Sequence, residues 1–256
     1  MDNEMQDVNC AFSRAVATIS VPRLEGECMA AWALDYMRPG RPRVELLGSP
    51  AQARMPDEDQ LMVWLGAPGS DLGELRAAAI PLLDPEEQAT AARLRNPADQ
   101  RTSLAAHAGV RLMLGAAMDV PPRSIPIHRG QHGKPLIEGG SLHFSLAHVR
   151  GAVAVALARR PVGIDIERKA ALPDMAAVAA AAFAPEAQRA LEAAQGEART
   201  EMFYRFWTLG EAFVKATGLG VLQGLNSFAF TSEGEPCLTR VTPGWGSPER
   251  WRFGVC

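Results

Sequence analysis

The spacing of apolar residues changes several times along the chain, which predicts a mixture of strands and helices. Short apolar runs bounded by glycine or proline are typical of buried strands, whereas apolar residues three and four positions apart are typical of helices. The strands predicted in this way span residues 61–65, 141–147, 152–158, 162–167, 227–231 and 251–255. The predicted helices span about residues 84–95, 98–118, 173–183, 185–194 and 197–217.

The order of these elements narrows the fold class. Asp84 and Pro85 supply an N-cap and a proline at the first helical position, where a helix should begin. Helices and strands interleave without the regular βαβ alternation of a doubly wound sheet, and no glycine-rich phosphate loop follows a strand. The sequence therefore predicts an α+β fold. Residues 1–59 show no sustained period, and we interpret them as an N-terminal extension that is ordered in part.

Composition and charge exclude several classes of protein. With 256 residues, 47% of them hydrophobic, the chain can bury a core without disulfides or structural metals, and its four cysteines form no metal-ligand spacing. A net charge of −3 gives no general attraction for nucleic acid or an anionic membrane. No apolar run approaches the roughly 20 residues of a membrane span, and the acidic N-terminus is unlike an export signal. We expect a soluble, cytoplasmic protein that binds neither nucleic acid nor membranes.

Asp165 and Glu167 are the first candidates for chemistry. Residues two apart on a strand project to the same side, so these carboxylates should stand together while Ile164 and Ile166 face the other way. Two such anions repel unless a cation lies between them, and Mg²⁺ accepts carboxylate oxygens together with substrate phosphates. Two solvated acids at a strand end are an equally simple interpretation of this common spacing.

Glu211 and Lys215 lie one turn apart on the same face of the last long helix. An ordinary surface ion pair at this spacing contributes only about 0.2–0.5 kcal/mol. Aromatic residues surround the pair in the sequence and would anchor the helix and fix the two side chains: Phe203, Tyr204, Phe206, Trp207 and Phe213.

Basic residues form a third group. Lys134 lies in a Gly-Lys-Pro turn, His148 ends a predicted strand, and Arg101 and Arg111 share one helix. Each suits phosphate binding, but each also suits a purely structural role. The other four histidines lack the spacing of a metal-binding helix, and we assign them no role. No GxSxG elbow is present, which disfavours a covalent hydrolase.

The order of these motifs is more specific than any one of them. Residues 133–135 (GKP), 142–148 (LHFSLAH), 162–167 (VGIDIE) and 206–215 (FWTLGEAFVK) together resemble the 4′-phosphopantetheinyl transferases of the type that activates surfactin synthetase. The resemblance covers about two-thirds of the chain. It implies a monomer of two similar α+β halves related by a pseudo-twofold, with coenzyme A and Mg²⁺ in the cleft between them. We expect the halves to be residues 60–160 and 161–256.

The resemblance also implies roles for individual residues. Three carboxylates would bind Mg²⁺ and, through it, the pyrophosphate of coenzyme A: Asp165, Glu167 and Glu211. Lys215 would hold the pyrophosphate directly. The 3′-phosphate and adenosine end would contact Arg101, Lys134 and His148.

The implied reaction transfers the 4′-phosphopantetheine arm to a serine of an acyl or peptidyl carrier protein and releases 3′,5′-ADP. Such a transfer depends mainly on positioning and on neutralising charge at the phosphoryl oxygens, which Mg²⁺ and Lys215 would provide. The carrier serine must also lose a proton, and we expect Glu211 to act as the general base, with Glu186 a weaker candidate.

Two positions depart from the family pattern. The family commonly has a serine where this chain has Ala147, and a lysine where it has Gly210. Glycine costs about 1 kcal/mol relative to alanine inside a helix, and a lysine at position 210 would place a cation beside Glu211. We therefore expect Gly210→Lys both to stabilise the helix and to improve coenzyme A binding or transfer. Two alternatives to an active transferase stay open. The first is a weakened homologue that binds coenzyme A or a carrier protein without efficient transfer. The second, more remote, is a metal-dependent phosphoester hydrolase that uses the same carboxylates.

Overall fold

Two sheets with helices on their outer faces make up the fold. The computed structural model describes residues 3–18, 28–139, 141–220, 224–242 and 247–255. The helices are α1 (Asn3–Ala15), α2 (Leu72–Ala79), α3 (Pro85–Arg93), α4 (Pro97–Met118), α5 (Met175–Ala182), α6 (Pro185–Ala193) and α7 (Gly196–Thr217). The strands are β1 (Val16–Thr18), β2 (Cys28–Asp35), β3 (Arg43–Leu46), β4 (Gln60–Pro68), β5 (Ile127–Arg129), β6 (Pro135–Ile137), β7 (His143–Val149), β8 (Ala152–Ala158), β9 (Val162–Arg168), β10 (Phe228–Phe230), β11 (Leu238–Val241) and β12 (Trp251–Val255). This mixture confirms the predicted α+β class.

The strands form two main sheets and two hairpins. The first sheet has the order β1-β4-β8-β7, and β3 runs parallel to one end of β4. The second sheet has the order β12-β2-β9, with antiparallel pairing throughout. The hairpins are β5–β6 and β10–β11.

Alternation along the strands divides the apolar residues into three cores. Trp32 on β2, Val63 on β4 and Ile164 on β9 belong to the core between the two sheets. Trp64 faces the opposite way, into a core shared with α1, α2 and α4. Ala31 likewise faces a separate core built with α5, α6 and α7. The two sheets therefore pack face to face, because successive residues of a strand point to opposite sides.

Strand β9 is held between β7 and α7. The hydroxyl of Ser145 on β7 accepts a hydrogen bond from the backbone N–H of Ile164 at 3.0 Å, which joins the two sheets at this edge. On the other side, Gly163 lets α7 approach closely, since a Cβ at this position would lie 2.5 Å from the backbone nitrogen of Ala216. The missing side chain brings β9 and α7 into direct contact.

Most predicted elements are present within a few residues of their expected bounds. The Asp84 cap is part of a capping box in which Glu87 bonds back to the Asp84 backbone, and Pro85 begins α3. The strands predicted at residues 141–147 and 152–158 form the antiparallel pair β7–β8. These elements carry their own local sequence signals, which explains why they could be predicted.

The described residues among 1–59 are more structured than an extension. They contain α1 and β1 to β3, and β2 is the middle strand of the second sheet. The pairing of β2 with β9 joins segments far apart in sequence, so no local pattern reveals it. The division into halves at about residue 160 and their pseudo-twofold relation stay predictions. Across the described ranges, no helix is long and apolar enough to cross a membrane.

Candidate active site

A groove in two connected parts runs over β7 and along α7. The larger part has a volume of 440 Å³ and is walled by α3, α4, the β5–β6 hairpin and β7. The smaller part, of 250 Å³, lies between the hairpin, β7 and α7. Pro135, Phe144, Leu146 and Lys215 line both parts. Lys215 therefore marks the point where the two parts meet.

Asp165 and Lys215 form the central contact of the candidate site. The Nζ atom of Lys215 donates to Oδ1 of Asp165 at 2.6 Å, and the aspartate side chain is only 6% exposed. Its second oxygen, Oδ2, is buried without a hydrogen-bond partner among the described residues. Ile164 and Ile166 lie in the core between the sheets, so Asp165 occupies the face of β9 that strand alternation predicts.

Glu167 and Glu211 complete an acidic group beside this pair. Burial raises the pKa of Glu167, and the nearby charge of Asp165 raises it further, against the hydrogen bond from Trp207. Burial also raises the pKa of Glu211, with Lys215 opposing the shift and Asp165 adding to it. The carboxylates are therefore close enough to influence one another, as expected if a cation normally lies between them.

Trp207 is a residue whose part in the site the sequence did not reveal. Its indole bonds to Glu167. The ring of Trp207 stacks on Phe203 at a centroid distance of 5.9 Å and meets the edge of Phe183 at 6.2 Å. The aromatic cluster was predicted to anchor the helix and to fix Glu211 and Lys215, and in the structure it also holds the indole donor that bonds to Glu167.

Lys134 links β9 to the last turn of α7. Its Nζ donates to the carbonyl oxygens of Val162 and Ala216, both at 3.1 Å. Burial lowers its pKa to about 8. These two bonds occupy most of its donor capacity, so the structure gives Lys134 a bracing role, and its predicted contact with coenzyme A stays a prediction.

The lowered pKa of Lys134 predicts a pH-dependent stability. Between about pH 8 and 10.5 the unfolded chain binds a proton at this side chain that the folded chain has lost, so folding becomes more favourable as pH rises. We expect the free energy of unfolding of wild type, relative to Lys134→Met, to be flat below pH 8 and to increase above it. Denaturant unfolding of both proteins from pH 7 to 10 measures this difference. A difference that does not change with pH contradicts the prediction.

The other predicted basic residues lie in different places. His148 lines the larger part of the groove, where desolvation lowers its pKa, with smaller effects from the charges of His107 and Lys215. Arg101 is not among the described residues that line either part. Arg111 is 1% exposed and binds the carboxylates of Asp84 and Glu87, so its role is structural.

Gly210 lies at a crowded position on α7. It is buried on α7, and a Cβ there would lie 2.9 Å from Cδ2 of Leu225 and 3.4 Å from Cε2 of Phe228. Both neighbours belong to the segment around β10, and Gly210 is not among the described residues that line the groove. The expectation that Gly210→Lys stabilises the helix is therefore wrong, and its effect on coenzyme A binding stays a prediction.

We now expect Gly210→Lys to destabilise the protein. The lysine must either displace Leu225 and Phe228 or bury its charge among them, and overpacking alone costs about 1–3 kcal/mol. Thermal unfolding should show a melting temperature several degrees below wild type. Gly210→Ala is the control. Alanine has a higher helix propensity than glycine, and its methyl group contacts mainly the flexible end of the Leu225 side chain. A Gly210→Lys variant as stable as wild type would contradict this prediction, because it would show that Leu225 and Phe228 move aside at little cost in stability.

Several groove residues were not predicted as site residues. His107 and Val110 on α4, and His128 and Arg129 on β5, line the larger part. Asp84, which also lines it, was recognised only as a helix-start signal. No spacing rule joins these residues, because the groove forms where α3, α4 and the hairpin meet in space.

The oxygen-rich donor set fits a hard cation such as Mg²⁺. Asp165 Oδ2 is buried and unpartnered, and Mg²⁺ needs only one or two carboxylates when substrate phosphates and water supply its other ligands. Within the described ranges, no ready-made cluster of three or more histidine, cysteine or acidic ligands is found. The metal-binding roles of Asp165, Glu167 and Glu211 stay predictions.

Comparison with known proteins gives the class of this chain. Residues 161–255 match the model of the 4′-phosphopantetheinyl transferase superfamily. The slr0495 protein of Synechocystis sp., provisionally named a 4′-phosphopantetheinyl transferase, is 34% identical over 67% of this chain and 71% of its own length. The 4′-phosphopantetheinyl transferase HetI of Nostoc sp. is 29% identical over 73% of this chain and 81% of its own, and Sfp of Bacillus subtilis is 27% identical over 57% and 65%.

The chain belongs to the 4′-phosphopantetheinyl transferase superfamily of enzymes. This confirms the resemblance seen in the four sequence motifs. The match of residues 161–255 includes β9 and α7, which carry the acidic group and Lys215.

Proposed function

We propose that this enzyme transfers the 4′-phosphopantetheine arm of coenzyme A to a serine of an acyl or peptidyl carrier protein, with Mg²⁺, and releases 3′,5′-ADP. The observation that carries the proposal is the contact of Lys215 with the buried Asp165 at the meeting point of the two groove parts, with Glu167 and Glu211 beside it. Family membership indicates the class of reaction, and the acidic group with Lys215 is where we propose that the reaction takes place.

Lys215 is the residue best placed to hold the pyrophosphate. It lines both parts of the groove, and its side chain is 31% exposed, so it can reach a ligand while it remains near Asp165. A charged donor aimed at phosphate oxygens stabilises the charge that shifts to the leaving group during transfer. A Mg²⁺ ion held by Asp165, Glu167 and Glu211 would neutralise further charge on the phosphoryl oxygens.

Glu211 is the proposed general base. The serine oxygen of the carrier forms a bond to the phosphorus that bears the pantetheine arm, while the bond from that phosphorus to the oxygen of 3′,5′-ADP breaks. The serine proton passes to Glu211. A carboxylate whose pKa is raised by burial is a stronger base than an exposed one, and Glu211 lines the groove beside Lys215. Glu186 is a poor alternative, since it pairs with Arg240 at 3.1 Å and is absent from the described groove lining.

The test is a transfer assay with its products separated. Purified protein is incubated with Mg²⁺, coenzyme A and an apo carrier protein, and mass spectrometry detects the arm on the carrier. Addition of the arm together with 3′,5′-ADP supports the proposal. Coenzyme A binding without product identifies a weakened homologue, and coenzyme A breakdown without a carrier identifies a hydrolase.

We further propose that the carrier protein docks against α5. This helix, Met175–Ala182, has no charged residue, and Ala176, Ala177 and Ala180 on it are exposed. It follows β9 closely in sequence, and the adjoining Phe183 contacts Trp207, which in turn bonds to Glu167. An apolar surface beside the acidic group suits a partner whose serine must reach Glu211.

A mainly apolar docking surface predicts weak salt dependence. The chain has a net charge of −3, so no general field attracts an acidic carrier protein. We expect the KM for the carrier to change by less than about tenfold between low and physiological salt. Steady-state kinetics across that salt range provides the measurement, with the KM for coenzyme A as the internal comparison. A change of several orders of magnitude would show that charge dominates recognition.

A further inference from the structure

One side of the β9 backbone has no strand partner among the described strands. β9 lies at the end of the second sheet, next to β2. The backbone N–H of Asp35 donates to the carbonyl of Pro161 in the register of this pair, and bonded positions alternate along antiparallel strands. The odd-numbered residues of β9 therefore bond toward β2, whereas Val162, Ile164 and Ile166 direct their backbone groups the other way. Because β9 is buried over most of its length, these groups need partners from elsewhere in the fold.

Two side chains in the lining of the smaller part of the groove supply such partners. The Nζ atom of Lys134 donates to the carbonyl oxygen of Val162 at 3.1 Å. The Oγ atom of Ser145 accepts from the N–H of Ile164 at 3.0 Å. Ser145 is 4% exposed and Ile164 is 1% exposed, so the bond between them is shielded from water. The two side chains replace a neighbouring strand along the part of β9 that leads to Asp165.

The position of the Asp165 carboxylate depends on this support of the backbone. One of its oxygens accepts from Lys215, whereas Oδ2 is buried without a hydrogen-bond partner among the described residues. Asp165 follows Ile164 directly, so a shift of the Ile164 backbone moves Oδ2 with it. Helix α7 restrains the face of β9 that carries Gly163, where there is no room for a Cβ. Ser145 restrains the edge of the strand, which α7 leaves free.

We propose that Ser145 positions Asp165: by accepting the N–H of Ile164, it fixes the direction in which Oδ2 of Asp165 meets a divalent cation. This rests on the proposed function, because the cation is the Mg²⁺ of the transfer reaction. In this role Ser145 acts through the backbone of β9 and does not touch the reacting atoms. An alanine at position 145 would leave a buried N–H without an acceptor, which favours a different arrangement of β9.

The first test measures the hydrogen bond itself. Amide hydrogen exchange followed by NMR should show faster exchange at Ile164 in Ser145→Ala than in wild type. Ser145→Cys should do the same, because sulfur keeps the size of the side chain but is a weak acceptor. Ser145→Thr keeps the hydroxyl and should retain the protection. Wild-type protection of Ile164 in both the alanine and the cysteine variant overturns the inference.

The second test measures the cation. Mn²⁺ serves as the probe, and its binding in the presence of coenzyme A is followed by electron paramagnetic resonance. Because a displacement of about 1 Å in a site can cost about 100-fold, Ser145→Ala should weaken Mn²⁺ binding about 10- to 100-fold. The Mg²⁺ concentration for half-maximal transfer should rise by a similar factor, whereas the KM for coenzyme A should change far less. High Mg²⁺ should restore most of the rate, because the Asp165 carboxylate is still present.

Thr102→Val is the matched control. Thr102 is 3% exposed, and its hydroxyl accepts from the backbone N–H of Gly151 at 3.1 Å. It is not among the described residues that line the groove. The control loses a comparable bond and should keep its Mn²⁺ affinity. An equal loss of affinity in Thr102→Val, or an unchanged affinity in Ser145→Ala, overturns the inference. If wild type transfers no arm, the proposed function fails, and the exchange and Mn²⁺ measurements still decide the role of Ser145.

Discussion

Asp165→Asn is expected to abolish almost all transfer while the fold persists. The change keeps the size of the side chain but removes the charge that holds Lys215 and the oxygen proposed to bind Mg²⁺. Losing one group that stabilises developing charge typically costs about 100- to 1,000-fold in rate. Initial rates at saturating coenzyme A, measured over a range of Mg²⁺ concentrations, should show this loss with no recovery at high metal.

Asp35→Asn is the matched control for that experiment. Asp35 is 3% exposed and pairs with Arg250. Like Asp165, it is therefore a buried aspartate in an ion pair with a basic side chain. Neither Asp35 nor Arg250 is among the described residues that line the groove. The control should lower stability, because a buried charged partner is lost, but retain most activity. If both variants lose activity equally, burial of an ion pair and not the chemistry of Asp165 explains the effect.

Local sequence signals were sufficient to predict the strand and the helix that carry the candidate site, and which of their residues share a face. The alternation of Ile164, Asp165 and Ile166 shows which side chains share a face of β9, and the structure has them on the expected faces. Residues Glu211 and Lys215 lie one turn apart on α7 as their spacing requires. Such relations depend only on the geometry of one strand or one helix.

Relations between distant segments could not be read in the same way. The position of β2 beside β9 depends on pairing across more than a hundred residues, from Cys28 to Arg168. Gly210 was interpreted from its neighbour in sequence, Glu211, although consecutive helical residues point in different directions. His107 was dismissed because it lacked a metal-binding pattern, and its partner Glu87 lies on another helix. In each case the decisive neighbour comes from elsewhere in the chain.

Gly163→Ala is expected to push β9 and α7 apart and so to disturb the contact between Asp165 and Lys215. A Cβ at this position would lie 2.5 Å from the nitrogen of Ala216 and 3.0 Å from the carbonyl carbon of Ala212. Both are backbone atoms, so no rotamer change relieves the contact, and β9 and α7 must move apart. Lys215 lies on α7 and Asp165 on β9, and their 2.6 Å contact should therefore lengthen. We expect a loss of stability at or above the upper end of the roughly 1–3 kcal/mol typical of overpacking.

The activity of this variant separates packing from chemistry. A displacement of about 1 Å in a catalytic group can cost about 100-fold, so the fraction that remains folded should still transfer poorly. Denaturant unfolding gives the stability, and rates corrected for the folded fraction give the intrinsic activity. Gly210→Ala on the other side of α7 is the control, because its new methyl group meets the flexible end of Leu225 and not backbone. A Gly163→Ala protein with wild-type activity per folded molecule would mean that the close approach of β9 and α7 serves stability alone, and that Lys215 does not need its place beside Asp165.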